Sequence, residues 1–310
     1  METEAPERQT RRSGGRAARV AARAAPLEET KRPVRAGLSG GRYRPLTDEN
    51  VKRIHEAALD ALETIGLAKA PASGVEILTG AGAILGDDGR IRFPRALVED
   101  MLAVAARDIT LFGRDPKHDL HLTGTKVHFG TAGAAVHLVD VEKREYRDST
   151  AKDLYDAARI AHALDNVHFF QRVMVCRDVP DNFDMDMNTQ YACCAGTTKH
   201  VGTSFSDPAY VQGGFDLLHM IAGGEDKWRA RPFVSHSNCF VVPPMKFAEE
   251  SCRTMEACIR GGMPMLLLSA GQAGATAPAP LATAIVQAVA ECLAGVVYVN
   301  AMSPGFPAIF

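Results

Sequence analysis

The run "VHFFQRVMV" at 167–175, followed by "HVGTSF" at 200–205, "PFVSHSN" at 232–238 and "PMLLLSA" at 264–270, decides the fold. Each run is short and rich in β-branched, apolar or aromatic residues, and helical stretches near 183–195, 207–222 and 246–260 separate them. Strands alternating with helices at roughly 30–40 residues per unit mark a parallel sheet wrapped by helices. Working outward, "VHFG" at 127 and a helix near 150–165 extend the series backward, and a helix at 280–299 leads forward into "PAIF". One insertion, "VHLVDVEKREYR" at 136–147, reads as strand, charged turn and strand, which predicts a hairpin above the first strand.

Two parallel architectures accept this pattern. The expectation is an α/β TIM (β/α)8 barrel with an N-terminal helical cap, in which residues 126–310 supply the first five to six βα units and the barrel is incomplete in this chain. A parallel sheet with a bare edge would expose hydrogen-bonding groups and apolar faces, so further strands are expected beyond "PAIF". The alternative is a doubly wound open sheet, which five or six strands complete.

Before the sheet, "LTDENVKRIHEAALDALETIGL" at 46–67 places Val51, Ile54, Ala58, Leu62 and Ile65 at helical spacing, with Thr47 as N-cap and Gly66 as stop. A second helix at 94–106 begun by Pro94, with residues 74–85, completes a cap layer over 46–125. Residues 1–45 are rich in arginine and poor in anything to bury, which predicts a basic flexible arm with helical promise only at 16–25.

Composition narrows the function. Of 310 residues, 46% are hydrophobic and 23% charged, and the formal charge of −2 offers no field for nucleic acid or anionic lipid. A neutral or zwitterionic small molecule is the expected partner. The seven cysteines are odd in number and lack CxxC spacing, so they read as reduced core residues of a cytoplasmic protein with no metal site. No apolar run is expected to reach the ~20 residues that span a bilayer, and the arginine-rich start has no apolar h-region.

In either architecture reactive groups gather at the C-terminal ends of the strands. "FGTAGAA" brings Phe129, Gly130 and Gly133 there. The later ends bring Arg172, Ser204, His236 and Asn238, and "SAGQAGATAPAP" brings Gly271, Gln272, Gly274 and Thr276 at a helix entrance. Neither GxGxxG nor GK[ST] is present, so this last loop is no dinucleotide fingerprint or P-loop. His236 and Asn238, two apart, share one face of their strand; if that face is inward, both point into a pocket. Lys199 and His200 open the third strand, and a lysine with a pKa depressed by burial is a candidate Schiff-base nucleophile. Phe129, Phe169, Phe205, Phe240 and Trp228 are available for cation–π contact with a methylated ammonium, and Arg172 or Arg177 for a bidentate grip on a carboxylate.

The segments "GRYRPLTDENVKRIHEAALDALETIGL", "VHFGTAGAAVHLVD", "GATAPAPLATAIVQAVAECLAGVV" and "NAMSPGFPAIF" resemble those of the trimethylamine methyltransferase family, as does "RRSGGRAARVAARAAPL". "GATAPAPLA" followed by "AECLAG" is the most specific part of the likeness. The resemblance implies a TIM barrel and methyl transfer from a methylated amine, trimethylamine or a quaternary amine such as glycine betaine, to the cobalt of a separate corrinoid (cobalamin) protein. Archaeal members that demethylate trimethylamine carry pyrrolysine in the C-terminal part of the barrel; the likeness here is to bacterial members without it. Under this reading Phe129, Arg172, His200, Ser204, His236, Asn238 and Gln272 bind substrate. Gly130, Gly133, Gly271, Gly274 and Thr276 face the corrinoid, which the partner carries. A quaternary ammonium already has a neutral leaving group, so no single catalytic residue is expected. The chain is expected to form homo-oligomers. Two alternatives stand beside it: a Schiff-base barrel lyase using Lys199, and a non-catalytic remnant that only binds a partner.

Overall fold

The computed structural model describes residues 15–25 and 34–310, and the chain divides into two units, 1–35 and 36–310. In the first unit the expected helical stretch is a helix, Arg16–Ala24; the rest of the predicted arm up to residue 33 lies outside the described residues.

The second unit is built on a five-stranded sheet whose spatial order is its chain order, with every pair parallel. Its strands are β1 (Phe170–Gln171), β2 (Val201–Thr203), β3 (Val234–Asn238), β4 (Met265–Leu267) and β5 (Ala308–Ile309). The intervening helices are α1 (Asn182–Gly196), α2 (Val211–Ala222), α3 (Glu249–Arg260) and α4 (Leu281–Met302), with a short unanticipated helix, Glu225–Ala230, between α2 and β3. Local chemistry sets their ends. Asp181 caps α1 by accepting the Asp184 N–H at 2.9 Å, and Gly223 at φ +82° closes α2 where a side chain would be strained. A doubly wound sheet needs a reversal of strand order, and this sheet has none, which removes that alternative.

The expected first strand, "VHFG", is split. Lys126–Val127 pairs antiparallel with Leu38–Ser39, and Gly130 reaches the sheet through one parallel bridge to Phe169. Leu38 and Ser39 are thus structured, although they fall inside the stretch expected as a flexible arm. The predicted hairpin is present as His137–Asp140 and Glu145–Asp148, tied to the helix Ala151–Ala163 by Arg147, which binds Asp140 and Asp153.

Register assigns each side chain to a face. Phe170, Val201, Val234, Met265 and Leu267 share the face packed against the helices and are almost fully buried. Gln171, Gly202, Ser235, Ser237 and Leu266 fall on the opposite, inner face. One end of that inner face is filled by a hairpin, Asp108–Leu111 with Leu120–Thr123, whose Ile109, Leu111 and Leu120 pack with Phe169 and Ile309. Residues 108–123 were expected in the cap layer; they serve instead as a plug at the N-terminal end of the sheet.

The cap consists of helices Asp48–Thr64, Ala72–Gly80 and Arg95–Val104 with a three-stranded antiparallel sheet, and it packs on α4. Thr47 caps the first helix as the spacing predicts, accepting the Asn50 N–H at 3.2 Å. Buried Glu256 of α3 fastens the layers by accepting hydrogen bonds from Tyr298 of α4 at 2.6 Å and Ser73 of the cap at 2.8 Å. The helix α4 corrects one expectation, since its 22 residues, with a mean hydropathy of 1.7 over the best 18-residue window, are long and apolar enough to cross a membrane. Here 56% of that window is buried within the protein, as in a core helix.

Candidate active site

At the C-terminal ends of β1 to β4 lies a cavity of about 440 Å³. Six residues singled out from sequence border it: Gly133, Arg172, Ser204, Phe205, His236 and Asn238. Gln171, Ser237 and Leu266 reach it from the inner face, and Glu250 and Thr254 from the first turns of α3.

His236 and Asn238 do share a face, but it is the helix-covered one. Asn238 shows this directly, donating its side-chain N–H to the Ser251 carbonyl of α3 at 2.8 Å. Both residues border the cavity because it runs across the strand ends to the start of α3. The His236 ring stacks on Phe205, 5.6 Å between centroids and 24° between planes. Burial, then the nearby Arg172 charge, pushes its pKa down to about 3, so it is a neutral imidazole at physiological pH. Its Nδ1 is buried with no hydrogen-bond partner among the described residues.

The charges at the cavity are one cation, Arg172, and one anion, Glu250. No carboxylate among the described residues is within ion-pairing distance of the Arg172 guanidinium. Asp186 feels the Arg172 charge, but it already accepts the Ser206 N–H at 2.7 Å and hydroxyl at 2.9 Å. Burial pushes the Asp186 pKa up, and those two hydrogen bonds and Arg172 oppose it. Arg177, the other candidate for a carboxylate grip, is committed to Asp148 at 2.8 Å outside the cavity.

The remaining candidates sit elsewhere. His200 is fully buried at the plugged end, donating to the Phe112 carbonyl at 2.8 Å, and burial lowers its pKa to about 4. Lys199 is equally removed: its ammonium donates to the carbonyls of Ala161, Leu164 and Val167 at 2.7, 2.8 and 2.5 Å. Burial lowers its pKa, yet every proton is committed at the C-terminus of a helix, so the Schiff-base reading has no free amine facing the cavity. Phe129 is half exposed beside His168 and outside the cavity lining. Trp228 and Phe240 are core, the Trp228 indole donating to the Gly261 carbonyl at 3.0 Å, and Phe169 belongs to the plug; only Phe205 of the proposed aromatics borders the cavity.

Among the small residues, Gly133 borders the cavity, and Gly130 has a packing reason, because a Cβ there would lie 2.2 Å from the Phe169 ring. Gly271, Gln272, Gly274 and Thr276 form an exposed loop outside the cavity, in which Thr276 Oγ1 accepts the Gln272 N–H at 2.9 Å and Gly274 turns at φ +81°. Cys239 departs from the expectation of core cysteines: it is exposed at the rim, with a thiol pKa raised by partial burial. Sequence reasoning missed Gln171, Ser237 and Glu250. The signal for the serines was the phase of "VSHSN", where the apolar Val234 marks the helix-side positions and leaves Ser235 and Ser237 inward. Glu250 carried no signal, since an acid in the first turn of a helix is ordinary.

Comparison with known proteins joins this geometry to a lineage. The trimethylamine methyltransferase MttB of Desulfitobacterium hafniense is 29% identical over 275 residues, covering 88% of this chain and 54% of that protein. A glycine betaine methyltransferase from another strain of that species is 26% identical over 271 residues, covering 87% and 56%. The MttB of Methanosarcina thermophila is 26% identical over 273 residues, covering 86% and 56%. The chain therefore spans about half the length of the curated relatives it matches. Because the family described as trimethylamine methyltransferase (MTTB) matches residues 12–310 in one continuous stretch, the chain belongs to that family.

Proposed function

We propose that this chain supplies the substrate-binding part of a methyltransferase that moves a methyl group from a methylated amine to the cobalt of a corrinoid protein. The sheet, in chain order with helices on one face and a plug on the other, is read as the first units of a TIM barrel. Among methylated amines the reading favours a zwitterion bearing a carboxylate, such as a betaine, over trimethylamine. The observation that carries this is the presence of Arg172 and Glu250 on one cavity, a cation with no ion-pair partner among the described residues and an anion that also lines it. A substrate cation alone would meet Arg172 repulsively, whereas a carboxylate can take its two-pronged hydrogen bonds. Glu250 and the Phe205 ring then receive the ammonium end.

The docked corrinoid supplies the methyl-accepting cobalt. This chain's residues do the rest: Arg172 orients the substrate by its carboxylate, and Leu266 and Leu268 exclude water from one side of the cavity. When the N–CH3 bond breaks, its electron pair stays on nitrogen and the leaving tertiary amine is neutral, so no proton donor is required. Neutral His236 adds no second positive charge beside Arg172. Ala132 and Gly133 at the rim present almost no side chain, which fits the approach of a large planar group. In the full-length protein with its corrinoid partner, cobalt methylation followed by absorbance across a panel of methylated amines tests the reading. Turnover of a betaine is expected, and no turnover of any methylated amine overturns it.

A further inference from the structure

We propose that Glu291, with Gln287 one turn before it on α4, is a positioning group that holds both loops beside the cavity and sets the loop after β4 for docking of the methyl-accepting partner. Glu291 is fully buried, and its carboxylate joins three segments. One oxygen accepts the Met245 N–H, from the loop between β3 and α3, at 2.8 Å, and the other accepts the Ser269 hydroxyl at the end of β4. The Gln287 amide donates to the first oxygen at 3.2 Å and to the Thr276 carbonyl at 3.0 Å. A buried carboxylate is costly unless hydrogen-bonded, and among the described residues no cation pairs with this one. Besides Gln287 on its own helix, its donors are the Met245 N–H and the Ser269 hydroxyl, so the group is fully satisfied only while both loops are in place.

The loop after β4 gives the clasp its purpose. Residues 270–276 are exposed and carry small side chains except Gln272, as expected of a surface that admits a large flat group. They are nevertheless ordered, since the Gln272 carbonyl accepts the N–H groups of Ala275, Thr276 and Ala277. An exposed loop that is tied internally and anchored by Gln287 and Glu291 is organised before its partner arrives, which spares the cost of ordering on binding.

This inference rests on the methyl-transfer reading, so its test has an arm independent of turnover. In the full-length protein, Glu291→Ala is expected to speed hydrogen exchange in residues 239–248 and 268–280 by about tenfold or more, while the cap helix Asp48–Thr64 is unchanged. Gln287→Ala should loosen residues 270–277 alone. Glu291→Gln keeps an acceptor for Met245 and an amide that can donate to Ser269, and should restore most of the protection. In turnover, Glu291→Ala should raise the KM for the corrinoid protein about fivefold or more, with the KM for the amine nearly unchanged. Faster exchange spread evenly over the chain, unaltered loops, or a rise in the amine KM alone would overturn the proposal. If no methylated amine is turned over but exchange rises in these loops, the clasp stands and the methyl-transfer reading and the docking role fall.

Discussion

Replacing Lys199 by Met separates a structural lysine from a chemical one. The side chain is 4% exposed, and its ammonium donates to the Ala161, Leu164 and Val167 carbonyls, where the helix Ala151–Ala163 ends and the chain turns toward β1; the Leu164 carbonyl also accepts the Val167 N–H at 3.1 Å. Met keeps most of the volume but removes the ammonium from all three carbonyls, leaving Leu164 only the Val167 N–H. Each charge-assisted hydrogen bond contributes about 1.5–3 kcal/mol, and relief of burying an ammonium offsets part of the sum. A net loss of about 2–4 kcal/mol follows, which for a chain of this size is a fall in Tm of roughly 3–6 °C. Denaturant unfolding of wild type and Lys199→Met measures it, with methyl transfer assayed below the variant's Tm. The reasoning predicts lost stability with near-normal kcat and no borohydride-trapped adduct with carbonyl compounds. Unchanged stability with abolished activity, or a trapped adduct at Lys199, would refute it.

Acid should destabilise the fold early. His236 and His200 are held neutral down to about pH 3 and 4, whereas in the unfolded chain they protonate near 6.5. Below 6.5 the unfolded state binds more protons, so stability falls as pH drops toward 4, by up to about 1.4 kcal/mol per pH unit for each histidine. Unfolding curves from pH 7 to 4.5 check this, and His236→Phe, which keeps the stack on Phe205, should lower the slope by up to about 1.4 kcal/mol per pH unit. At Gly130, Gly130→Ala must push a methyl into the Phe169 ring and should cost about 1–3 kcal/mol by urea denaturation, whereas Gly271→Ala, on an exposed loop with nothing nearer than 3.3 Å, should cost little.

The legible part of this molecule was periodic. The runs at 167, 200, 232 and 264 became β1 to β4, and "PAIF" became β5, because buried parallel strands must be apolar and helices must separate them. Thr47 was legible because a cap is a local hydrogen bond. What escaped depended on tertiary context. Ile109, Leu111 and Leu120 look the same whether they cover a cap or plug a sheet, and nothing local distinguishes the two. Lys199 reads as a candidate nucleophile until the carbonyls that surround it come from a helix end more than thirty residues away. At the site, Arg172 was found by its place at a strand end. The direction of His236 and Asn238 was open because alternation gives two faces without saying which one the helices cover, and Glu250 enters only because α3 begins at the cavity.

The most direct test of the account is the ratio of kcat/KM for glycine betaine to that for trimethylamine, with cobalt methylation followed in wild type and in Arg172→Gln. If Arg172 receives the substrate carboxylate, wild type prefers the betaine and the variant loses about 2 kcal/mol of that preference, some thirtyfold, with trimethylamine turnover unchanged or improved. A wild type that prefers trimethylamine, or a variant that leaves the ratio where it was, would contradict the account.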